Sequence, residues 1–457
     1  MNGLHNRRPS RNTRNTPAVK FCLRIERDAR RILRVNLNLF STGRLFLTGL
    51  TLLVTQAQGA DFSIKNGDRI VFYGDSITDQ RLYTTFAETF IVTRFPKLEV
   101  TFVHSGWGGD RVSGGGGGPI DLRLERDVFA YKPTVMTIML GMNDGSYRAF
   151  DQGIFDQYRK GYEHIVQSVK KTLPGIRLTL IQPSPFDDVT QAPRFEGGYN
   201  AVLLRYSDYV KELAQKEGAG VADLNKPVVA ALEKAKATDA TQATKIIPDR
   251  VHPGASGHLL MAAELLKSWH APAIVSSVEI DASARKVLLA QSARISDLQS
   301  DGSVRWTQLD DALPLAVNMK DPIMALAVNS SDFIQSLNRQ PLKVTGLTAA
   351  RYILNIDGNE AGAFTKEQLA EGLNLALLPT PMVKQATEVH DLTLKHNNLH
   401  FARWRQIQVP MAAYKSAEVD KATLALMKAL DTEEEKIVKQ QRAAAQPVAR
   451  KFSLVPQ

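Results

Sequence analysis

Ile70-Val71-Phe72-Tyr73-Gly74-Asp75-Ser76-Ile77-Thr78-Asp79 sets a four-residue apolar run directly against a glycine, an acid and a serine. Four similar apolar runs follow, at Val100–Val103, Val135–Leu140, Leu178–Ile181 and Val221–Leu224. Continuous apolar strands suit a sheet covered on both faces, as parallel α/β sheets are. Between the third and fourth runs, Ile154, Tyr158, Tyr162, Ile165, Val169 and Leu173 recur at steps of three or four, the signature of one helix face, and Pro174-Gly175 ends it. A second helix is predicted from about Tyr199 to Glu217, stopped by Gly218. Strands alternating with helices from Asp68 to Trp269 predict a three-layer α/β/α, doubly wound parallel sheet. Its ligands should sit at the carboxyl ends of the strands.

After Pro272 the texture changes. Val278/Ile280, Leu342/Val344 and Tyr352/Leu354/Ile356 alternate, and Asp301-Gly302 and Asp357-Gly358 are hairpin signals. The chain thus divides into a leader over 1–60, an α/β domain over 61–272, a β-rich accessory domain over 273–385 and a mixed, helical segment over 386–457. In the last segment Val419, Leu426, Leu430 and Ile437 share a helix face, Glu433-Glu434-Glu435-Lys436 reads as solvated, and the chain from Pro447 reads as frayed.

The 457 residues, 44% hydrophobic and 23% charged, exclude a disordered, collagen-like or coiled-coil protein. A single cysteine excludes a disulfide scaffold. The net charge of +10 would suggest nucleic acid. Eleven basic and two acidic side chains fall in residues 1–60, however, which leaves 46 basic and 45 acidic for the rest. The body is nearly neutral, so no nucleic-acid partner is expected. Arg44 precedes the apolar run Leu45–Val54, too short to span a bilayer, and the small residues Ala57, Gly59 and Ala60 follow. This reads as an export signal cleaved after Gly59 or Ala60, giving a periplasmic or secreted protein with no stable membrane span. Cys22 lies in the leader, so residues 61–457 offer no disulfide or thiolate.

Four segments carry chemistry. Ser76 stands at a tight strand-to-helix junction, where a hydroxyl is exposed at the top of a sheet, although N-capping is the commoner use of serine there. The second strand runs into His104-Ser105-Gly106-Trp107-Gly108-Gly109-Asp110-Arg111, whose glycines let backbone N–H groups approach a ligand. The third ends in Gly141-Met142-Asn143-Asp144, whose Asn143 amide can donate to the same charge or simply make a turn. Near the end of the α/β domain, Asp249-Arg250-Val251-His252 supplies a base for a serine and a carboxylate three residues earlier that can fix its tautomer.

Taken together and in this order, the segments resemble the SGNH (GDSL) hydrolase superfamily over roughly Asp68 to Trp269. The resemblance implies Ser76 as nucleophile, His252 as base and Asp249 as its orienter. It also implies an oxyanion hole from the Ser76 N–H, the Gly109 N–H and the Asn143 amide, with Gly108 as the alternative to Gly109. His104 stands where the family usually has Asn. The implied chemistry is ester hydrolysis without metal or cofactor.

The remaining candidates read as structural. His258 caps or packs the last helix, His390, His396 and His400 lack a matching acid cluster for a metal, and Gly114–Gly118 forms a mobile rim of the site. Trp107 and Tyr147 are candidates for the wall of a sugar cleft. The leading expectation is an exported serine esterase that removes small acyl groups, acetyl in particular, from a small-molecule or polysaccharide ester. The alternatives are a lipase, lysophospholipase or thioesterase of the same superfamily, and an inactive binding module.

Overall fold

The five apolar runs become five strands: β1 (Arg69–Gly74), β2 (Thr101–Gly106), β3 (Val135–Met139), β4 (Arg177–Ile181) and β5 (Gly220–Ala222). The computed structural model describes residues 61–457 except Lys415; the leader, with its expected export signal and Cys22, lies outside the described residues. The strands lie in the order β2-β1-β3-β4-β5, and every neighbouring pair is parallel. All five residues of β3 are buried. Successive strand residues point to opposite faces, so helices must cover both. The helices are α1 (Ser76–Asp79), α2 (Leu82–Arg94), α3 (Ile120–Asp127), α4 (Gln152–Thr172), α5 (Gly198–Glu217), α6 (Lys226–Thr238) and α7 (Ala255–Ser268). The Asp151 carboxylate caps α4 by accepting from the Ile154 N–H at 3.0 Å, and α4 buries Tyr158, Tyr162, Ile165 and Val169 as its periodicity requires. The order reverses between β1 and β3, which opens a crevice at their carboxyl ends.

The rest of the chain supplies β6 (Ser277–Asp281), β7 (Lys286–Gln291), β8 (Ala293–Ser300), β9 (Val304–Asp310), β10 (Pro341–Thr345), β11 (Arg351–Ile356), β12 (Asn359–Thr365), β13 (Leu373–Asn374), α8 (Pro381–Phe401), α9 (Ala417–Ala444) and β14 (Arg450–Pro456). Both hairpin signals are turns; Asp357 and Gly358 both have positive φ (52° and 78°), as the favoured two-residue turn requires. The chain after Pro447 departs from expectation. It is not frayed: β14 lies between β9 and β11 in an antiparallel sheet ordered β8-β9-β14-β11-β12. Phe452 and Leu454 are buried, and Phe452 stacks on Trp306 at 5.0 Å. A boundary at 385 therefore cuts through one sheet. Among the described residues no helix is long and apolar enough to cross a membrane.

Helices α8 and α9 return to the α/β unit. The expected apolar face of α9 is mostly open, with Leu426 exposed and only Ile437 buried. Polar groups hold the helix instead. Glu88 of α2, 1% exposed, accepts from His104 Nε2 at 3.1 Å, His396 Nδ1 at 3.2 Å and Gln441 Nε2 at 2.9 Å. His396 Nε2 donates to Glu434 at 2.9 Å, so the run 433–436 is not uniformly solvated. His104 faces this cluster; its Nδ1 accepts from the Thr84 hydroxyl at 2.6 Å.

Burial opposes a charge on His396, but the Glu88 charge and the hydrogen bonds to Glu434 and Glu88 outweigh it and raise its pKa from 6.5 to about 10. Burial likewise opposes the Glu434 charge, yet His396 and His400 lower its pKa from 4.5 to about 2. The raised histidine stabilises the fold fully below pH 6.5 and loses that contribution as pH climbs toward 10. The depressed glutamate stabilises it above pH 4.5 and loses that contribution as pH falls toward 2. His396→Leu is expected to cost about 3–5 kcal/mol, the range for breaking a buried pair. The difference in melting temperature from the parent should be largest between pH 4.5 and 6.5 and shrink on both sides. A difference that is flat in pH would remove the charged-pair account. A chain ending at Pro272 strips α8 and α9 from Glu88, so expression of that truncation should give insoluble protein.

Candidate active site

Ser76, Gly109 and Asn143 follow strand ends, and Asp249 and His252 lie in the loop before α7. β1 closes at Gly74, where a Cβ would collide with the Thr78 side chain and the Met139 carbonyl, so only glycine lets α1 start there. The buried Asp75 carboxylate caps α1 by accepting from the Ile77 N–H at 3.0 Å. Ser76 is the first residue of α1, and its Oγ lies 2.8 Å from His252 Nε2. His252 Nδ1 lies 2.7 Å from Asp249 Oδ2, which assigns the ring proton to Nδ1 and leaves Nε2 free to accept. The other oxygen of Asp249 accepts from the backbone N–H groups of Val251 (2.9 Å) and His252 (2.7 Å). Burial pushes this carboxyl up, but those N–H groups and the imidazole outweigh it and hold it below its ordinary value. The sites named from sequence as nucleophile, base and orienter thus form one hydrogen-bonded line, open to solvent, with the His252 and Asp249 side chains 38% and 56% exposed.

The loop after β2 separates its two glycines. The Gly108 N–H is taken by Asp79 Oδ2 at 3.2 Å. Gly109, in the left-handed region at φ 78°, has an N–H with no acceptor among the described residues. The Ser76 N–H, at the start of α1, is equally free. Asn143, after β3, donates from Nδ2 to the Asp110 carbonyl at 3.0 Å and accepts at Oδ1 from the Tyr147 hydroxyl at 2.9 Å. Ser76, Gly109 and Asn143 therefore follow three adjacent strands, β1, β2 and β3. Such a set of donors can stabilise a negative oxygen developing beside the serine.

Behind the loop lies the fully buried Arg123. It donates to Asp110 Oδ2 at 2.8 Å, to Asp127, and to the Ser105 carbonyl at 2.9 Å. Asp127 also accepts from the indole N–H of Trp404, 277 residues away, at 2.6 Å. Apart from the i,i+4 spacing of Arg123 and Asp127, no local pattern signals this network. Trp107 is only 7% exposed; it meets Trp404 edge to face at 5.7 Å and lies under the Arg405 guanidinium, so it is packing and not a cleft wall. The glycine run is not a mobile rim either. Gly114–Gly115 pairs with Gly118–Pro119, and a Cβ on Gly117 would collide with Trp107 and Arg123. Tyr147, by contrast, is 39% exposed beside Asn143.

His258 is buried and neutral, its pKa pushed down to about 3 by burial, and it ties α7 to Tyr83 and Gln80. His390 pairs with Thr89, while His396 and His400 belong to the Glu88–Glu434 cluster. Among the described residues no group of three or more such side chains could hold a metal ion.

Residues 72–260 match the GDSL-like lipase/acylhydrolase family model. An acetylxylan esterase from Geobacillus stearothermophilus is 26% identical over 226 residues, 45% of this chain and 94% of that protein. A solved gut microbial diltiazem-metabolizing enzyme superposes with a TM-score of 0.74 at 26% identity, covering 86% of this chain and 98% of its own. The latter coverage must include much of the region after Pro272.

Trp404→Phe keeps an aromatic side chain but, besides shortening it, leaves the buried Asp127 carboxylate short of one donor. It should cost about 1–3 kcal/mol in thermal or urea unfolding and lower turnover by loosening the loop before Gly109. Unchanged stability together with unchanged turnover would disconnect Trp404 from the site.

Proposed function

Residues 72–260 belong to the GDSL-like lipase/acylhydrolase family and the chain is an esterase-type hydrolase; from that premise we propose an exported serine esterase that removes acetyl groups from carbohydrate through Ser76, His252 and Asp249. The observation that carries this reading is the hydrogen-bonded line Ser76–His252–Asp249, at 2.8 and 2.7 Å, which joins the two ends of the matched segment.

As Ser76 Oγ attacks the ester carbonyl carbon, its proton passes to His252 Nε2, and the carbonyl oxygen takes the negative charge. The N–H groups of Ser76 and Gly109 and the Asn143 amide donate to that oxygen. Asp249, ionised and bonded to Nδ1–H, stabilises the imidazolium. When the tetrahedral intermediate collapses, the alkoxide of the sugar leaves with the proton from Nε2, and acetyl stays on Ser76. Water, deprotonated by the same histidine, then attacks the acyl-enzyme; the bond between the acyl carbon and Ser76 Oγ breaks, Nε2 returns its proton to Oγ, and acetate is released. The cycle balances with ester and water as the only reactants.

The substrate class rests on the acetylxylan esterase relative, whose activity lends acetylated carbohydrate as the first candidate, and on the exposure of the triad, which leaves room for a bulky alcohol. Export rests on the sequence pattern from Arg44 to Ala60.

Ser76→Ala and His252→Ala should each abolish nearly all turnover of p-nitrophenyl acetate, and Asp249→Ala should cost somewhat less. Asn143→Ala removes one oxyanion donor, a loss of roughly 100- to 1000-fold in kcat. A fluorophosphonate should label the peptide containing Ser76, and acetate should be the fastest of a p-nitrophenyl acyl series. Label on another peptide would remove the serine mechanism; a maximum at long chains would move the substrate class to lipids.

A further inference from the structure

An asparagine used as an oxyanion donor carries its own hazard. Its amide has a donor end and an acceptor end of nearly equal size, and a half-turn of the side chain would point Oδ1, a repulsive group, at the developing charge. The Asp110 carbonyl holds one proton of Nδ2. That acceptor disfavours the reversed amide, and the Tyr147 hydroxyl, 2.9 Å from Oδ1, holds the opposite end of the side chain.

The backbone shows what holding this tyrosine requires. Ser146 and Tyr147 are consecutive non-glycine residues in the left-handed region, at φ 57° and 54°. For a bulky side chain that conformation is a strained outlier, and such strain persists only where the surroundings fix it. Here the turn closes through the Ser146 N–H on the Asn143 carbonyl at 3.1 Å. The Tyr147 ring packs against Tyr199 at 5.1 Å and Phe186 at 6.2 Å. Tyr199 is itself pinned by its hydroxyl on the Met142 carbonyl at 2.7 Å, and Gly145 has no room for a Cβ against that same hydroxyl. The loop bends against its preference and delivers one phenol to one amide. Burial, Asp75 and Asp249 push the phenol up to about 12, so it keeps its proton over the working range of an esterase.

We propose that Tyr147 is a positioning residue of the oxyanion hole, which locks the Asn143 amide with Nδ2 turned to the reacting oxygen; this rests on the serine-esterase reading above. Tyr147 does not touch the reacting atoms in this role. It acts by holding the Asn143 side chain at its Oδ1 end and by drawing on Oδ1, which strengthens Nδ2–H as a donor. The other uses of such a ring, as packing or as a wall for the sugar, need the aromatic face and not the hydroxyl.

Tyr147→Phe separates them, because it keeps the ring and removes one oxygen. With p-nitrophenyl acetate, kcat should fall about tenfold, the worth of one hydrogen bond, with KM changed less than twofold. In an Asn143→Ala background the same substitution should change kcat less than twofold, since no amide is left to orient. In spectra of 15N-labelled protein, the Asn143 side-chain amide protons should exchange with solvent faster in Tyr147→Phe, a readout that does not need turnover. An unchanged kcat, an effect confined to KM, a full tenfold loss in the Asn143→Ala background, or unaltered amide exchange would each overturn the assignment. Ser76→Ala, run alongside, keeps the two claims apart. Retained turnover there would defeat the esterase reading, whereas lost turnover with a silent Tyr147→Phe would defeat only the role of Tyr147.

Discussion

A guanidinium removed from water is tolerable only when its donors meet acceptors and its charge meets opposite charge, and Arg123 imposes that condition on everything around it. Burial opposes its charge, but Asp110 and Asp127 outweigh burial and hold it firmly protonated. Each of its contacts fixes a different part of the structure. Asp110 and the Ser105 carbonyl tie down the two ends of the glycine loop. Asp127 ends α3 and takes the indole of Trp404 from the far end of the chain. The rings of Tyr73, just before Gly74, and Trp107, just before Gly108, lie within 4.9 and 5.2 Å of the guanidinium carbon. The strand that delivers Ser76 and the loop that delivers Gly109 are therefore set by one buried charge.

Glu88 does the same at the edge of the sheet. It is a buried carboxylate on α2, answered by His104 from β2, His396 from α8 and Gln441 from α9. These two charged centres tie helices of the C-terminal region to the α/β unit, even though the antiparallel sheet has a separate apolar core of its own. Its connectivity adds a second reason. β14 is central in that sheet, so β9 and β11 can be joined only once residues 450–456 are available. Pairing of such long sequence separation is costly to close and is rewarded late in folding.

What was legible in the sequence shared one property: its cause was local. The strands of the parallel sheet are uninterrupted apolar runs because both of their faces are covered, and α4 repeats its apolar residues because one face is covered. The Asp249–His252 pair can be read because a three-residue turn brings the carboxylate to the ring. Asn143 and Gly109 were found as types of donor at strand ends, without the contacts that aim them. The contacts that Glu88 and Trp404 make with distant segments left no such trace, since those partners lie up to 353 residues away, as Gln441 does from Glu88. β14 is the exception that could have been read. Phe452 and Leu454 alternate with polar neighbours, but Pro447 and nearness to the chain end argued for fraying, and the alternation is too short to outweigh them alone.

Strain ties the local chemistry to the distant contacts. Arg81, Ser146, Tyr147 and Arg250, all non-glycine residues at positive φ, lie in the loops around the triad. Such conformations cost about 1–3 kcal/mol each unless the surroundings over-determine them. In all four the strained residue's own side chain makes a hydrogen bond: Arg81 to the Asp79 carbonyl at 2.6 Å, Ser146 to the Asp144 carbonyl at 3.4 Å, Tyr147 to Asn143, and Arg250 to the Ala192 carbonyl at 2.8 Å. Arg81 also lies over the Phe401 ring, at the end of α8. A site whose triad is open to solvent cannot rely on an enclosing pocket to keep its donors aimed. Here the aim comes from below: loops bent against their preference, held by side-chain bonds, on strands fixed by buried charge. Preorganised donors of this kind need no rearrangement when charge develops on the reacting oxygen. On the mechanism proposed above, interactions so far from Ser76 in sequence thus bear on the chemistry at its hydroxyl.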